Sequence, residues 1–411
     1  MKHFFILIAS ALLIMPVVSC GKVQGVENDG DNTYKPLELT TKAARFLEQG
    51  NTFTFDYIDR IDKASEKDYV VSPLSMQFLL GMLLDGAKGE TAAQIARVLG
   101  YGADEVDEVN KYCLSMLEQL PELDNKTTLN IANAIFLDDG WPLEKKFTNT
   151  VSKYFKAEVN NLDFSNSAAA LKEINGWCSK QTNGLIPQVL DQVDPAILAY
   201  LMNAVYFKSQ WVYQFPKDAT ADETFTNEAG AGSTVKMMKQ DCNVPYYESE
   251  NWQMVRLPYG NGAFSMFVLL PKDKYTVADI TSELKKTNWD AFRARPSDKD
   301  VDLWLPKFET KFKILLNDLL SEMGMPLAFS AADFSAMSPA ASRLSFVLQD
   351  AVIKVDEEGS EAAAVSVAAV EKNAGAGAGK AIFHADRPFL YIITEQSTGA
   401  VLFAGKYSGS D

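Results

Sequence analysis

The sequence predicts an α+β domain in which helices come first and large antiparallel sheets dominate afterwards. Apolar residues recur at helical spacing in the first third of the chain, whereas later apolar runs have the length and composition of strands. Hydrophobic residues make up 47% and charged residues 23% of the 411 residues, which is ordinary usage for a globular protein. No repeat and no long polar linker divides residues 40–411, so we expect one domain there.

Helical spacing of apolar residues predicts the helices of the first part of the chain. Ser72 followed by Pro73 supplies a capping hydroxyl and an early proline, which together are typical of a helix start. The predicted helices cover residues 42–47 with 53–61, the segment after Ser72, and residues 91–99, 106–120 and 168–181. The first third of the chain is therefore predicted to be mostly helical.

Strand patterns dominate the rest of the chain. These segments are short, rich in β-branched and aromatic residues, and bounded by turn residues. The last two flank Glu-Gln-Ser-Thr-Gly, which is typical of a hairpin. The predicted strands cover residues 128–137, 198–207, 235–238, 252–258, 263–270, 301–305, 344–355, 389–394 and 400–406.

Residues 1–19 have the form of a secretory signal peptide. Lys2 precedes an apolar run that is too short to span a bilayer, which needs about 20 helical residues. Val-Val-Ser-Cys20 resembles a bacterial lipobox, so Cys20 is the predicted lipid attachment site and residues 20–39 a tether. A plain secretory signal with an incidental cysteine is the alternative. We expect an exported protein that is lipid-anchored to the bacterial cell envelope, at the outer membrane or the cell surface.

The charge and the scarcity of histidine argue against nucleic-acid binding and most enzyme chemistry. A formal net charge of −15 would repel nucleic-acid phosphates, and no lysine- or arginine-dense stretch offsets it. His384 is the one histidine beyond the predicted signal peptide, so a hydrolase would have few candidates for its base. The other cysteines, Cys113, Cys178 and Cys242, lack paired ligand spacing. We therefore predict no enzyme activity, no cofactor and no metal site.

The connection between the strands that end near Val355 and begin near Ile382 is unusually long. Along an extended chain, alternate residues from Ser360 to Val370 would share one face, which carries only serine, alanine and, at its end, one valine. Small residues can enter a packed sheet, whereas bulky ones would cost about 1 to 3 kcal/mol each. The connection therefore suits insertion into a sheet, with an Ala/Gly-rich linker that never inserts as the alternative.

Six short motifs resemble those of the serpin family. The segment Glu357-Glu-Gly-Ser-Glu-Ala-Ala-Ala364 is similar to the proximal hinge of the serpin reactive-centre loop. Residues 383–390 with 398–405 resemble the serpin C-terminal signature, on the other side of the long connection. The remaining matches are residues 72–75, 182–184, 203–208 with Trp211, and 305–308. The resemblance covers about residues 40–407, in the family's order.

The resemblance implies a serpin-like single domain with three β-sheets, eight or nine helices and an exposed reactive-centre loop. It also implies a suicide-substrate inhibitor of serine proteases, with cysteine proteases as a secondary target class. In the family, the target protease forms an ester with the loop, and the cut loop then inserts as a central strand of the largest sheet. The trapped protease is distorted, and the inhibitor supplies no nucleophile of its own.

Matching positions assign roles within this scheme. The hinge comprises Glu357, Gly359, Ser360, Ala362, Ala363 and Ala364. Ser72, Ser75 and Asn203 resemble the shutter beneath the sheet, and Trp211 resembles the breach tryptophan where insertion starts. Gln349 stands where the family's shutter histidine is expected, which puts any pH-dependent opening through that imidazole in doubt.

The bond that the protease cuts has several candidates. Counting from the hinge gives Asn373–Ala374, whereas Lys372, one residue earlier, would suit trypsin-like proteases. Ala369 or Val370 would suit an elastase- or subtilisin-like target. Counting along the sequence leaves these alternatives open.

A serpin-fold protein that only binds a partner at the cell envelope is the alternative function. Such relatives often carry charged residues or proline at the inward-facing hinge positions, whereas this sequence has Ser360, Ala362 and Ala364 there. The expected partners are a target serine protease and, through Cys20, a membrane. We expect a monomer that does not bind nucleic acid.

Overall fold

Helices occupy most of the first part of the chain, as their apolar spacing predicts. The computed structural model describes residues 32–102, 104–341, 343–360 and 379–409. From Thr33 onward the chain forms one compact unit. Within the described residues the α-helices are α1 (Thr41–Ala64), α2 (Pro73–Gly86), α3 (Gly89–Leu99), α4 (Val106–Gln119), α5 (Lys145–Tyr154), α6 (Ser167–Gln181), α7 (Val277–Leu284), α8 (Trp289–Arg293) and α9 (Asn317–Met323). None of these described helices has the length and apolarity needed to cross a bilayer.

Strands dominate the second part of the chain. They are β1 (Tyr69–Val71), β2 (Thr128–Asp138), β3 (Glu158–Leu162), β4 (Ala199–Gln210), β5 (Ala221–Thr226), β6 (Gly232–Glu248), β7 (Trp252–Tyr259), β8 (Phe264–Pro271), β9 (Ser297–Pro306), β10 (Phe308–Leu315), β11 (Leu348–Val355), β12 (Gly359–Ser360), β13 (Ala381–His384), β14 (Phe389–Glu395) and β15 (Val401–Tyr407). Each strand that the sequence predicts has a counterpart here.

The strands form two hydrogen-bonded sheets in the described part of the chain. One has six strands in the order β10-β11-β12-β4-β2-β3. The other has nine, in the order β1-β15-β14-β8-β7-β6-β9-β13, with β5 paired to β6. Because β6 is long enough to pair with β5, β7 and β9, it joins what the resemblance describes as two separate sheets.

The six-stranded sheet has a different neighbour on each face. Its inner face packs on the main core, which includes Phe207 of β4 and Ile353 of β11. Its outer face carries Ala204 and Val352 into a smaller core with Ile174 of α6. The nearly fully buried helix α2 begins beneath β4 and β11, and this places its first residues at the centre of the inner face.

The structure contains elements that the sequence analysis does not predict, namely α5, α7, α8, α9, β1, β3, β5, β10 and the two-residue β12. Helix α5 buries only Phe147 and Val151, so its apolar stripe is narrow. Strand β3 is a polar edge strand. Strand β11 begins at Leu348, four residues later than predicted, because the backbone before it bonds outside the sheet: Leu344 N donates to Ala328 O at 2.7 Å and Val347 N donates to Asn317 Oδ1 at 2.8 Å.

Candidate functional site

Two adjacent hinge residues form a short strand between β4 and β11. Gly359 and Ser360 make up β12, in which Ser360 pairs with Val355 of β11 on one side and Ser209 of β4 on the other. A tight turn closes the hairpin from β11, with Asp356 N donating to Gly359 O at 2.9 Å. The top of the gap between β4 and β11 is therefore already filled by the chain that follows β11.

Ser360 is fully buried, with an exposed fraction of 0%. Its hydroxyl shares a hydrogen bond of 2.6 Å with the hydroxyl of Tyr259 at the end of β7. Burial raises the pKa of Tyr259 well above its usual value, so the phenol remains neutral. Because each hydroxyl has a partner, the inserted serine avoids the cost of a buried, unsatisfied polar group.

Gly359 lies against the backbone of β4. A Cβ built on Gly359 would lie only 2.0 Å from Ser209 O, so any side chain there would displace the hinge from β4. Sequence resemblance assigns a glycine to this position, and the close approach to β4 supplies the physical reason.

Glu357, the first hinge residue, anchors the turn that leads into β12. Its carboxylate accepts from Thr220 Oγ1 at 2.9 Å and lies 2.8 Å from Lys307 Nζ. Burial alone would raise the pKa of Glu357, but the bonds from Lys307, its own backbone and Thr220 hold the pKa below its usual value. The carboxylate therefore stays charged and ties the turn both to the end of β9 and to the segment before β5.

Trp211 packs directly on the hinge. Its indole Nε1 donates to Asp356 O at 3.0 Å and its backbone N donates to Glu358 O at 2.8 Å. Its ring stacks on Tyr259, with centroids 4.3 Å apart. The residue that resembles the breach tryptophan thus contacts both the turn and the tyrosine that holds Ser360.

A polar cluster lies lower in the same gap, at the start of α2. Ser72 caps the helix by accepting from Ser75 N at 3.3 Å, and it donates to Leu402 O at 2.7 Å. Ser75 Oγ donates to Asn203 Oδ1, and Asn203 Nδ2 donates to Asn133 Oδ1 at 2.7 Å. The shutter candidates therefore attach β4 to α2 and β2.

Gln349 attaches β11 to the same helix start. Its Oε1 accepts from Tyr57 OH at 2.8 Å and from Ser72 N at 3.2 Å, while its Nε2 donates to Ser72 O at 2.9 Å. The amide thus uses both its acceptor and its donor in place of an imidazole. Since an amide does not titrate, the contacts between β11 and α2 at this position carry no charge change near neutral pH.

Below the shutter, a cavity of about 400 Å³ separates the beginnings of β4 and β11. It is lined mainly by apolar side chains, among them Leu201, Met202, Phe346 and Leu348. The two strands are therefore held apart below β12, with space between them at the level where a longer central strand would run.

Several predicted site residues lie outside the described residues. They are Ala362, Ala363, Ala364, Lys372, Asn373 and Ala374 in the loop, and Cys20 with the predicted signal peptide. Among the described residues, no group of three side chains is arranged to hold a metal ion.

Sequence reasoning missed four residues that hold the hinge and shutter, namely Tyr57, Asn133, Thr220 and Tyr259. Lys307 lies in the matched segment 305–308, but no role was assigned to it. The four missed residues come from separate elements, and no local pattern marks them. Only the register of the strands brings them to the gap.

The comparison of the sequence with protein families decides the identity. A family profile described as serpin (serine protease inhibitor) matches residues 48–409, nearly the whole folded unit. The chain belongs to the serpin family. This serpin is 31% identical over 380 residues to Iripin-8 of Ixodes ricinus, covering 90% of this chain and 94% of that protein.

Solved structures agree with this assignment. The native state of tengpin, a thermophilic serpin, superposes with a TM-score of 0.81 at 29% identity, covering 91% of this chain and 96% of tengpin. Human thyroxine-binding globulin, in its complex with thyroxine, gives a TM-score of 0.80 at 28% identity, covering 89% and 98% of the two chains. Similar structures thus include a binding protein as well as a protein named only as a serpin.

Proposed function

We propose that this serpin inhibits serine proteases as a suicide substrate. The observation that carries the proposal is β12, because the hinge already occupies the top of the gap between β4 and β11. Residues 360–373, at about 3.3 Å each, would extend it to a strand of roughly 46 Å. Successive added residues would form ladder hydrogen bonds alternately with β4 and β11, and these bonds are the source of the driving free energy.

The chemistry belongs to the target protease. Its serine hydroxyl attacks the carbonyl of the residue before the cut, the peptide C–N bond breaks, and the new amine leaves with a proton. The ester that remains links the protease to the loop until water hydrolyses it. Insertion faster than hydrolysis traps the protease, so the intact molecule must be held in a closed state by a kinetic barrier.

The direct test is to mix the purified serpin with trypsin and, separately, with pancreatic elastase. We expect a band on denaturing gels at the summed mass of the protease and the large serpin fragment with at least one of them. Mass spectrometry of that adduct identifies the cut among Lys372, Asn373 and the small apolar residues before them. Loop cleavage without any such band, under conditions where both proteases are in deficit, would overturn the proposal in favour of a binding protein.

We further propose that the protein is exported and lipid-anchored through Cys20 to the bacterial cell envelope. The support is the lipobox-like ending of the apolar N-terminal segment. The full chain expressed in a Gram-negative host should partition into detergent, whereas Cys20→Ser should partition into the aqueous phase. Aqueous partitioning of both proteins would contradict the anchor.

A further inference from the structure

Two lysines flank the gap in the six-stranded sheet, one position beyond the residue pairs that β12 already forms. Lys208 precedes Ser209 in β4, and Lys354 precedes Val355 in β11. Neither ammonium group makes an ion pair or hydrogen bond with a residue in the described part of the chain. The two strands thus carry two unpaired cations at the same level of the sheet.

Both lysines lie on the outer face of the sheet. Residues on either side of Lys208, Phe207 and Ser209, are buried on the inner face, and Ile353 and Val355 flank Lys354 in the same way. Since successive side chains point to opposite faces of a strand, Lys208 and Lys354 share the outer face. Each therefore points away from the apolar core.

The register of β12 determines which loop residue would meet them. In an antiparallel sheet, one step forward along the central strand is one step back along each neighbour. Ser360 pairs with Ser209 and Val355, so the next residue, Glu361, would pair with Lys208 on one side and Lys354 on the other. Because Ser360 points inward to Tyr259, the carboxylate of Glu361 would point outward, to the face that carries both lysines.

The neighbouring strands extend this charge pattern. Lys354 pairs in register with Glu309 of β10, whose carboxylate lies 2.7 Å from Lys311. On its other side, Lys208 pairs with the uncharged Thr128 of β2. Insertion of Glu361 would therefore give a row across the sheet with alternating charges: Glu309, Lys354, Glu361 and Lys208.

We propose that Lys208 and Lys354 form a clamp for the Glu361 carboxylate that positions the first newly inserted residue of the loop. The inference rests on the proposed inhibitory function, and it names the residues that guide its first step. Opposite charges directly across neighbouring strands attract each other. Before insertion, Lys208 lies opposite the uncharged Thr128, and Lys354 lies opposite only Glu309, whose carboxylate already pairs with Lys311. Lys208 and Lys354 act on the loop and never touch the protease, so they are positioning residues.

The test compares Lys208→Ala and Lys354→Ala with a control, Lys172→Ala, at an exposed position of α6. Two quantities are measured: the moles of serpin consumed per mole of trapped protease, and the guanidinium midpoint of the loop-cleaved protein. A metalloprotease prepares the cleaved form, because it uses activated water and forms no ester with the loop. We expect at least a twofold rise in consumption and a lower midpoint for each clamp variant, and neither change for the control.

A double-mutant cycle shows whether the lysines act through Glu361. In a Glu361→Gln background, Lys208→Ala should cause no further change in either quantity. If the wild-type protein traps protease and gains stability on cleavage, yet both lysine variants match it, the clamp is wrong and the inhibitory function stands. If the wild-type protein neither traps protease nor gains stability on cleavage, both proposals are wrong.

Discussion

At the scale of single residues, the hinge depends on a few buried polar contacts. Ser360 and Tyr259 satisfy each other in a region without water access, and Gly359 permits the close approach of β4. Each contact is small in free energy, about 0.5 to 1.5 kcal/mol for a typical hydrogen bond. These contacts matter because they hold Gly359 and Ser360, the first residues of the central strand, between β4 and β11.

Replacing Tyr259 with phenylalanine should weaken the attachment of Ser360 to the sheet. The variant leaves the buried Ser360 hydroxyl without its partner, which should lower the free energy of unfolding of the intact protein by about 1 to 3 kcal/mol. Urea unfolding measures the change. Adding Ser360→Ala to Tyr259→Phe removes the orphaned hydroxyl and should recover most of the loss. A double variant as unstable as the sum of the two single variants would show that the hydroxyls do not interact.

Asp85 should make the stability of the protein depend on pH. Burial raises its pKa from the ordinary value of 3.8 to about 7. Asn110 Nδ2 donates to Asp85 Oδ1 at 2.8 Å, while Asp85 Oδ2 and Asn110 Oδ1 have no partner. A neutral acid can donate from Oδ2 to Asn110 Oδ1, so protonation completes a two-bond pair between α2 and α4. The charged groups that face Asp85 are Asp107 of α4 and Lys146 at the start of α5.

The raised pKa of Asp85 determines the direction in which stability changes with pH. Between pH 4 and 7 the unfolded chain has already lost this proton and the folded protein retains it, so the free energy of unfolding falls as pH rises, by up to about 4 kcal/mol. Above pH 7 this contribution is constant. Asp85→Asn should remove this slope and be more stable than the wild-type protein at pH 8. Parallel stability curves for the two proteins from pH 4 to 8 would contradict this assignment.

At the scale of elements, the gap is governed by how its two strands attach to the helix beneath them. Strand β4 attaches through Asn203 to Ser75, and β11 attaches through Gln349 to Ser72. Both attachments converge on the first turn of α2, which the main core encloses. Opening the gap therefore requires one or both strands to move relative to the start of α2.

Replacing Gln349 with histidine should introduce a pH dependence that the wild-type shutter lacks. A buried imidazolium could not accept from Tyr57 and Ser72, so the folded protein would bind the proton more weakly than the unfolded chain, whose histidine pKa is about 6.5. The free energy of unfolding should then fall by about 1 to 2 kcal/mol between pH 7.5 and 5.5, relative to the wild-type protein. Gln188→His, on the exposed surface, controls for the added imidazole. Equal pH profiles for both histidine variants would argue against a shutter role for residue 349.

At the scale of the whole molecule, inhibition requires an intact state that is less stable than the cleaved state. If the inserted loop continued the register of β12, Ala364 would lie opposite Val205 and Ala351, on the face of the sheet that packs on the main core. Ala364→Arg would force a cation into that core at a cost of several kcal/mol. We expect this variant to be cleaved as a substrate without trapping the protease, while Ala364→Ser still traps it.

The stability of the cleaved protein is an independent test of whether residue 364 enters the core in these variants. Wild-type protein and Ala364→Ser should unfold at higher denaturant concentration after cleavage by a metalloprotease, and Ala364→Arg should not. Trapping by Ala364→Arg at the wild-type ratio would show that residue 364 does not enter the core.

Much of the local structure can be read along the chain. The cap at Ser72, the helical spacing of α3 and α4 and the apolar strands β8 and β14 are local properties, and the structure has them where the sequence predicts. Strand β10 and helix α5 escaped prediction, although β10 alternates buried and exposed residues as a strand should. The serpin motifs are likewise short stretches of sequence, and they are recognised by their residues and by their order along the chain.

The sequence by itself determined the α+β class, the small residues of the hinge and the glycine at position 359. Tertiary structure alone decided that Ser360 meets Tyr259, that Gln349 bonds to Ser72, and that Lys208 and Lys354 face the same rung. Helix and strand patterns depend on neighbours a few residues apart, which the chain displays directly. Pairing across the gap joins residues more than a hundred positions apart, so it depends on strand register and on the packing that sets it.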